Sequence, residues 1–116
     1  MKHSLSDSEL IARTRQSIQE DFSLAESELA NTDAWESLEK HVARIVSYMM
    51  DQNMGEFLNM LYIMDVSEEK IKRAIYDSES EEVSRAIAAI IIEREKQKVI
   101  TRAVYKETHG DQKGDY

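Results

Sequence analysis

Phe57–Ile75 reads FLNMLYIMDVSEEKIKRAI, and Val83–Arg94 reads VSRAIAAIIIER. In the first piece apolar residues crowd Phe57–Met64. They return at Ile71, Ala74 and Ile75, the i, i+3, i+4 rhythm of a helix face. Asp65-Val66-Ser67 lies between. Ser67 suits a new helix start, because its hydroxyl can accept a backbone N–H that has no partner in the first turn. Glu68 and Glu69 then stand where the helix dipole favours acids, and Val66 can staple onto Ile71. Asp77–Ser80 breaks the pattern, and Ser78 with Glu81 forms a capping box for a last helix. That helix is expected from about Glu79 to Lys106, acidic at its start and basic at its end, with Val83, Ala86, Ile87, Ile90 and Ile91 on its buried face.

Upstream, Ser6 and Glu9 make a capping box, and Ile11, Ile18, Phe22, Ala25 and Leu29 follow on one thin stripe. A second start at Ser23–Glu26 predicts a bend near Asp21–Ser23. Residues 1–30 are therefore expected to form a loosely held or mobile helical arm, 31–106 a core bundle and 107–116 a disordered tail. Asp33 and Glu36 form another capping box. Behind it Trp35, Leu38, Val42, Ile45 and Met49 recur at helical spacing. Asn53 can end that helix and cap the next, a short one over Glu56–Met64 whose many apolar residues predict that most of its faces are covered. The whole is expected to be one all-α domain, a compact bundle of about five helices.

The bulk composition agrees. The chain has 116 residues, with 41% hydrophobic and 33% charged, which suits one folded domain with a busy surface. Proline is absent and glycine occurs three times, too few turn residues for a sandwich or barrel. With no cysteine, disulfides, thiolate nucleophiles and thiolate zinc sites are excluded, and a reducing cytoplasm is the expected location. No apolar h-region opens the chain. The longest apolar run, Ala86–Ile92, is far short of the ~20 residues that cross a bilayer. Net charge is −8. Residues 1–82 carry 18 acidic and 8 basic side chains, and residues 83–116 carry 5 and 7. An acidic bulk repels phosphate backbones.

The pieces FLNMLYIMDVSEEKIKRAI and AIAAIIIEREKQK resemble a family of small, uncharacterised, all-helical bacterial proteins. These carry a Leu-Leu-Tyr-x-x-Asp-Val/Ile-Ser element and an Ile-Ile-x-Arg helix. The matching positions are Leu61, Tyr62, Asp65, Val66, Ser67, Ile91, Ile92, Glu93, Arg94, Gln97 and Lys98, within residues 38–102. Ile63 departs from the pattern, where a basic residue is usual. The resemblance implies a fold and no activity.

Chemistry is sparse. His3, His41 and His109 are dispersed, with no H-x-x-x-H, H-E-x-x-H or Glu-x-x-His pairing, so neither a metal site nor a cofactor is expected. The serines stand at caps, and no glycine-rich loop exists to hold phosphate. No catalytic residue is named and no enzyme is expected.

Three surfaces remain. Five of six methionines fall between residues 49 and 64. Met50 and Met54 sit off the main stripe, where this flexible side chain could line a partner groove. Beyond the polar collar EREKQK, the apolar residues Val99, Ile100, Val104 and Tyr105 must pack on the N-terminal arm or on a second copy of the chain. Finally, residues 56–76 mimic a helix-turn-helix whose second helix would present Lys70, Lys72 and Arg73 to DNA, although Glu68 and Glu69 oppose that approach. The expected function is a non-enzymatic interaction or regulatory module, as a homodimer or with an unidentified protein partner. The alternative is a DNA-binding regulator.

Overall fold

A computed structural model describes residues 5–109 except 25, 30 and 31. Five α-helices follow one another: α1 Asp7–Asp21, α2 Trp35–Gln52, α3 Met54–Ile63, α4 Glu68–Asp77 and α5 Val83–His109. Short 3₁₀ turns at Glu26–Leu29 and Ser80–Glu82 join α1 to α2 and α4 to α5. Among the described residues there is no strand. The expected all-α bundle with a long C-terminal helix is what forms. None of these helices is long and apolar enough to cross a membrane.

Helix α5 is the spine, with α1, α2 and α4 packed along it and α3 held against α2. Ile18, Leu38, Val42, Val46, Phe57, Ile87 and Ile91 are almost wholly buried in one continuous core. Helix α1 lies on α5, and its residues Ile11 and Ile18 are buried, as is Phe22 at its C-terminal end.

Capping explains several helix ends. The hydroxyl of Ser6 accepts from the Glu9 N–H at 3.1 Å, and the Glu9 carboxylate accepts from the Ser6 N–H at 3.0 Å, which holds that carboxyl below its usual pKa. Asn53 ends α2 through its N–H to the Met49 carbonyl at 3.0 Å, and its side-chain oxygen caps α3 by accepting from Glu56 at 3.0 Å. Ser67 caps α4 by accepting from the Lys70 N–H at 3.3 Å.

Two expected caps are replaced. At α2 the N-cap is Ala34, and Ser37 Oγ accepts from its N–H at 3.3 Å. Asp33 instead turns toward Arg15, 3.7 Å away, whose guanidinium also donates to the Thr32 carbonyl. At α5 the Ser78–Glu81 box does not form. A backbone bond from Glu82 N–H to the Glu79 carbonyl, 2.7 Å, tightens the start into a 3₁₀ turn.

Helices α1 and α3 end alike, each with a non-glycine residue in left-handed conformation: Ser23 at φ 55° and Asp65 at φ 62°. In both, the N–H of that residue and of the next donate back to carbonyls of the last turn, Ser23 to Glu20 and Leu24 to Gln19, Asp65 to Tyr62 and Val66 to Leu61. This is the Schellman pattern, which closes helix carbonyls that would otherwise lack donors. The bend expected at Asp21–Ser23 is this motif. Helix α5 runs past its expected end at Lys106 to His109, and residues 110–116 of the expected tail lie outside the described residues.

Candidate partner-binding cleft

Helix α3 has more apolar residues than its packed face can hide. Phe57 and Leu61 point into the core, while Leu58, Tyr62 and Ile63 are exposed, Tyr62 at 80%. The expectation that most faces of this helix are covered is corrected accordingly. Seven of its ten residues (Met54, Phe57, Leu58, Met60, Leu61, Tyr62 and Ile63) carry apolar side chains, more than the side packed on α2 and the core can hide. Helix α4 is divided in the same way. Ile71 and Ala74 are buried, Ile75 is half-buried and Tyr76 is 82% exposed.

The turn at Asp65 sets these two helices at the edges of an apolar cleft of about 280 Å³. Leu61, Val66 and Ile71 form its floor, Leu58 and Ile75 its walls, and Tyr62 and Tyr76 its rim, with Glu68 and Lys72 as charged members. A cavity of ~150 Å³ admits a benzene ring, so this cleft has room for a few apolar side chains and is small for a cofactor. Tyrosine suits the rim, because the ring covers apolar surface while the hydroxyl stays in water.

Arg94 on α5 fixes the turn from its other side. Its Nε donates to the Asp65 carbonyl at 3.0 Å and its terminal nitrogen to the Asp65 carboxylate at 2.9 Å. Asp65, Ser67, Glu93, Arg94 and Gln97 border a wider groove there, together with Lys70, Ala89 and Ile90. Leu61, Val66, Ile91 and Ile92 are buried.

A third cluster is internal. Glu95 is fully buried where α1 crosses α5. Ser17 Oγ donates to it at 2.6 Å, and Lys98 Nζ pairs with it at 2.8 Å while also reaching Asp21 at 3.3 Å. Burial pushes the Glu95 carboxyl above its usual pKa; Lys98 and Ser17 oppose that shift, and Asp21 adds to it. The Thr14 hydroxyl, one turn before Ser17, is buried without a hydrogen-bond partner. None of these residues lines the apolar cleft or the groove beside Arg94.

The residues expected at contacts fall in different places. Met50 and Met54 are half-buried and pack against the core, and neither lines the cleft. Val99, expected at a contact surface, is 5% exposed and belongs to the interior. Ile100, Val104 and Tyr105 are exposed, at 41%, 37% and 52%. Lys70, Lys72 and Arg73 are all exposed on α4, but Arg73 pairs with Glu69 at 3.6 Å. With Glu68, Glu69 and Asp77, α4 carries as many acids as bases, so no basic stripe forms. His41 is half-buried, with Nδ1 2.9 Å from the Ser37 carbonyl of its own helix.

The sequence reading missed Leu58, Tyr62 and Tyr76. A signal was present: each short helix carries one tyrosine, Tyr62 three residues before Asp65 and Tyr76 near the end of the next helix. Comparison of the chain with protein-family models, with curated proteins and with solved structures gives no match.

Proposed function

We propose that this protein is a non-enzymatic interaction module that holds an apolar helical segment of a protein partner in the α3–α4 cleft. The observation that carries this reading is the cleft itself, an apolar hollow walled by Leu58 and Ile75 and rimmed by two exposed tyrosines. Clustered exposed apolar surface on a monomer marks interaction sites, and tyrosine is enriched at them. Helix-in-groove recognition needs a short apolar trough between two helices, which α3 and α4 supply. The lack of cysteine supports action in the cytoplasm. The likeness to small helical bacterial proteins is proposed to be one of fold, since its positions make up the Asp65–Arg94 clamp and the core below it.

A photoreactive residue at position 62 tests this in cells. Crosslinked adducts to a protein are expected there and not from the same probe at Glu36, an exposed position at the start of α2. No adduct at 62, or equal adducts at both, overturns the reading.

A further inference from the structure

Among the described residues four polar side chains are buried, and all four lie on α1, on its link to α2 or on the stretch of α5 bonded to α1: Thr14, Ser17, Thr32 and Glu95. The buried residues of α2 and α4 are all apolar: Leu38, Val42, Ala43 and Val46 on one, Ile71 and Ala74 on the other. Two atoms of the polar set accept or donate no hydrogen bond, Thr14 Oγ1 and Glu95 Oε2, although Lys98 Nζ stands 2.8 Å from the latter. Unmet polar groups weaken the contact that buries them. The α1–α5 seam is therefore where this bundle opens most readily. We propose that α1 is a proton-controlled latch: it lies on α5 while Glu95 is protonated, and ionisation of Glu95 favours its lifting away as a unit while α2 to α5 stay folded. The latch is independent of the reading of the α3–α4 cleft.

The cluster sets two carboxyls against one ammonium. Lys98 on the same helix is 2.8 Å from Glu95 and 3.3 Å from Asp21 of α1, and Ser17 of α1 donates to Glu95 at 2.6 Å. With both acids ionised, one ammonium serves two negative charges, and the charge on Glu95 is out of reach of water. With Glu95 neutral the charges balance, and its O–H can donate to Asp21. The charged residues on either side of Glu95 are engaged elsewhere, Arg94 with Asp65 at the α3–α4 turn and Lys96 over the Trp35 ring of α2 at 4.8 Å. Once α1 lifts, Glu95 meets water and ionises more easily, so the lifted state sheds the proton and gains as pH rises. A hinge adjoins the helix: Ser23, just past its end, holds a left-handed φ of 55°, a conformation that is costly for a residue other than glycine. Two further tethers of α1 run to exposed groups at the start of α2, Asp7 accepting from Trp35 Nε1 at 3.0 Å and Arg15 lying 3.7 Å from Asp33.

Native-state hydrogen exchange of the full chain tests the latch. Amides of Thr14–Ile18 report α1, and those of Val42–Val46 and Ile87–Ile91 report the rest of the bundle. Protection factors, which remove the intrinsic pH dependence of exchange, are compared between wild type and Glu95→Gln from about pH 5 to 7. In the wild type the α1 amides should share one opening, lower in protection than the other two sets. Their protection should fall by up to ~10-fold per pH unit, as for release of one proton, while the other two sets hold. In Glu95→Gln, whose amide cannot ionise, α1 protection should stay flat. Asp21→Asn leaves Lys98 to Glu95 alone and should flatten the wild-type slope. Thr14→Val removes the unpartnered hydroxyl and should raise α1 protection ~5-fold or more at every pH, with the slope kept. If Glu95→Gln does not fold, the Asp21→Asn slope decides. Wild-type α1 amides as protected as those of Val42–Val46 overturn the proposal, as does an α1 slope that neither Glu95→Gln nor Asp21→Asn reduces.

Discussion

Where α1 meets α5 the protein buries charge, and where α3 meets α4 it exposes apolar surface. At the first junction Glu95 is fully enclosed with Ser17 and Lys98, flanked by Ile18, Phe22 and Val99. At the second, Leu58, Tyr62 and Tyr76 stand in solvent. Buried ionic groups seldom add net stability, but they penalise misplacement, since a shifted helix leaves a charge unpaired. The α1–α5 seam is thus finished within one chain and fixes the register of the arm. The α3–α4 cleft is open, and we propose that a protein partner completes it.

The sharpest break in this comparison is a pair of truncations. Ile18→Ala removes a fully buried side chain at the seam and should lower unfolding free energy by ~2–5 kcal/mol. Tyr62→Ala should leave it within ~0.5 kcal/mol, as for a surface position. Denaturant titration of the monomer checks both, and equal losses would erase the distinction.

Next in size is Glu95→Ala, which strands the Ser17 hydroxyl and leaves Lys98 with Asp21 alone. A loss of ~1–3 kcal/mol is expected by denaturant titration. Its pH dependence has a definite sign. Burial raises the folded pKa of Glu95 above its ordinary value of 4.5, so the folded state takes up this proton first. Stability from this group is greatest below the unfolded pKa and is lost as pH rises through the folded one. That trend opposes ordinary acid denaturation. Comparing wild type with Glu95→Gln from pH 4 to 7 isolates it: the difference between them should change across that window, and a flat difference would mean that Glu95 is not held as described.

Smaller effects sharpen the cleft side. Ser67→Ala removes the cap of α4 and should cost ~1 kcal/mol in thermal or denaturant unfolding. Arg94→Ala frees the Asp65 turn. The pair is partly solvated, so the stability loss should be only ~0.2–1 kcal/mol. Hydrogen exchange should nonetheless speed at the Asp65 and Val66 amides that close the turn. Unchanged exchange there would show that the clamp does not hold the cleft's edges.

Much of the fold could be read from the chain because helical spacing and local caps act within a few residues. Ser6 with Glu9, Asn53 and Ser67 all work as their neighbours dictate. Asp33 and Ser78 do not, because Arg15, from another helix, draws Asp33 away, and a backbone bond replaces Ser78. The site was harder. Helix α3 is apolar on every side, so sequence alone cannot say which side α2 and the core cover; that choice exposes Leu58 and Tyr62. Val99 was misplaced for the converse reason. It is buried on the helix that α1, distant in sequence, packs against, with Ser17 bonded to Glu95.

We propose that the α3–α4 cleft is the surface that holds a protein partner. Methyl NMR of the intact protein, titrated with the protein captured by the crosslinker at position 62, tests this. Methyl signals of Leu58 and Ile75 should shift together along one binding curve, while those of Ile18 and Ile87 stay still. Cleft signals that do not move, or that move no more than those of Ile18 and Ile87, would contradict it.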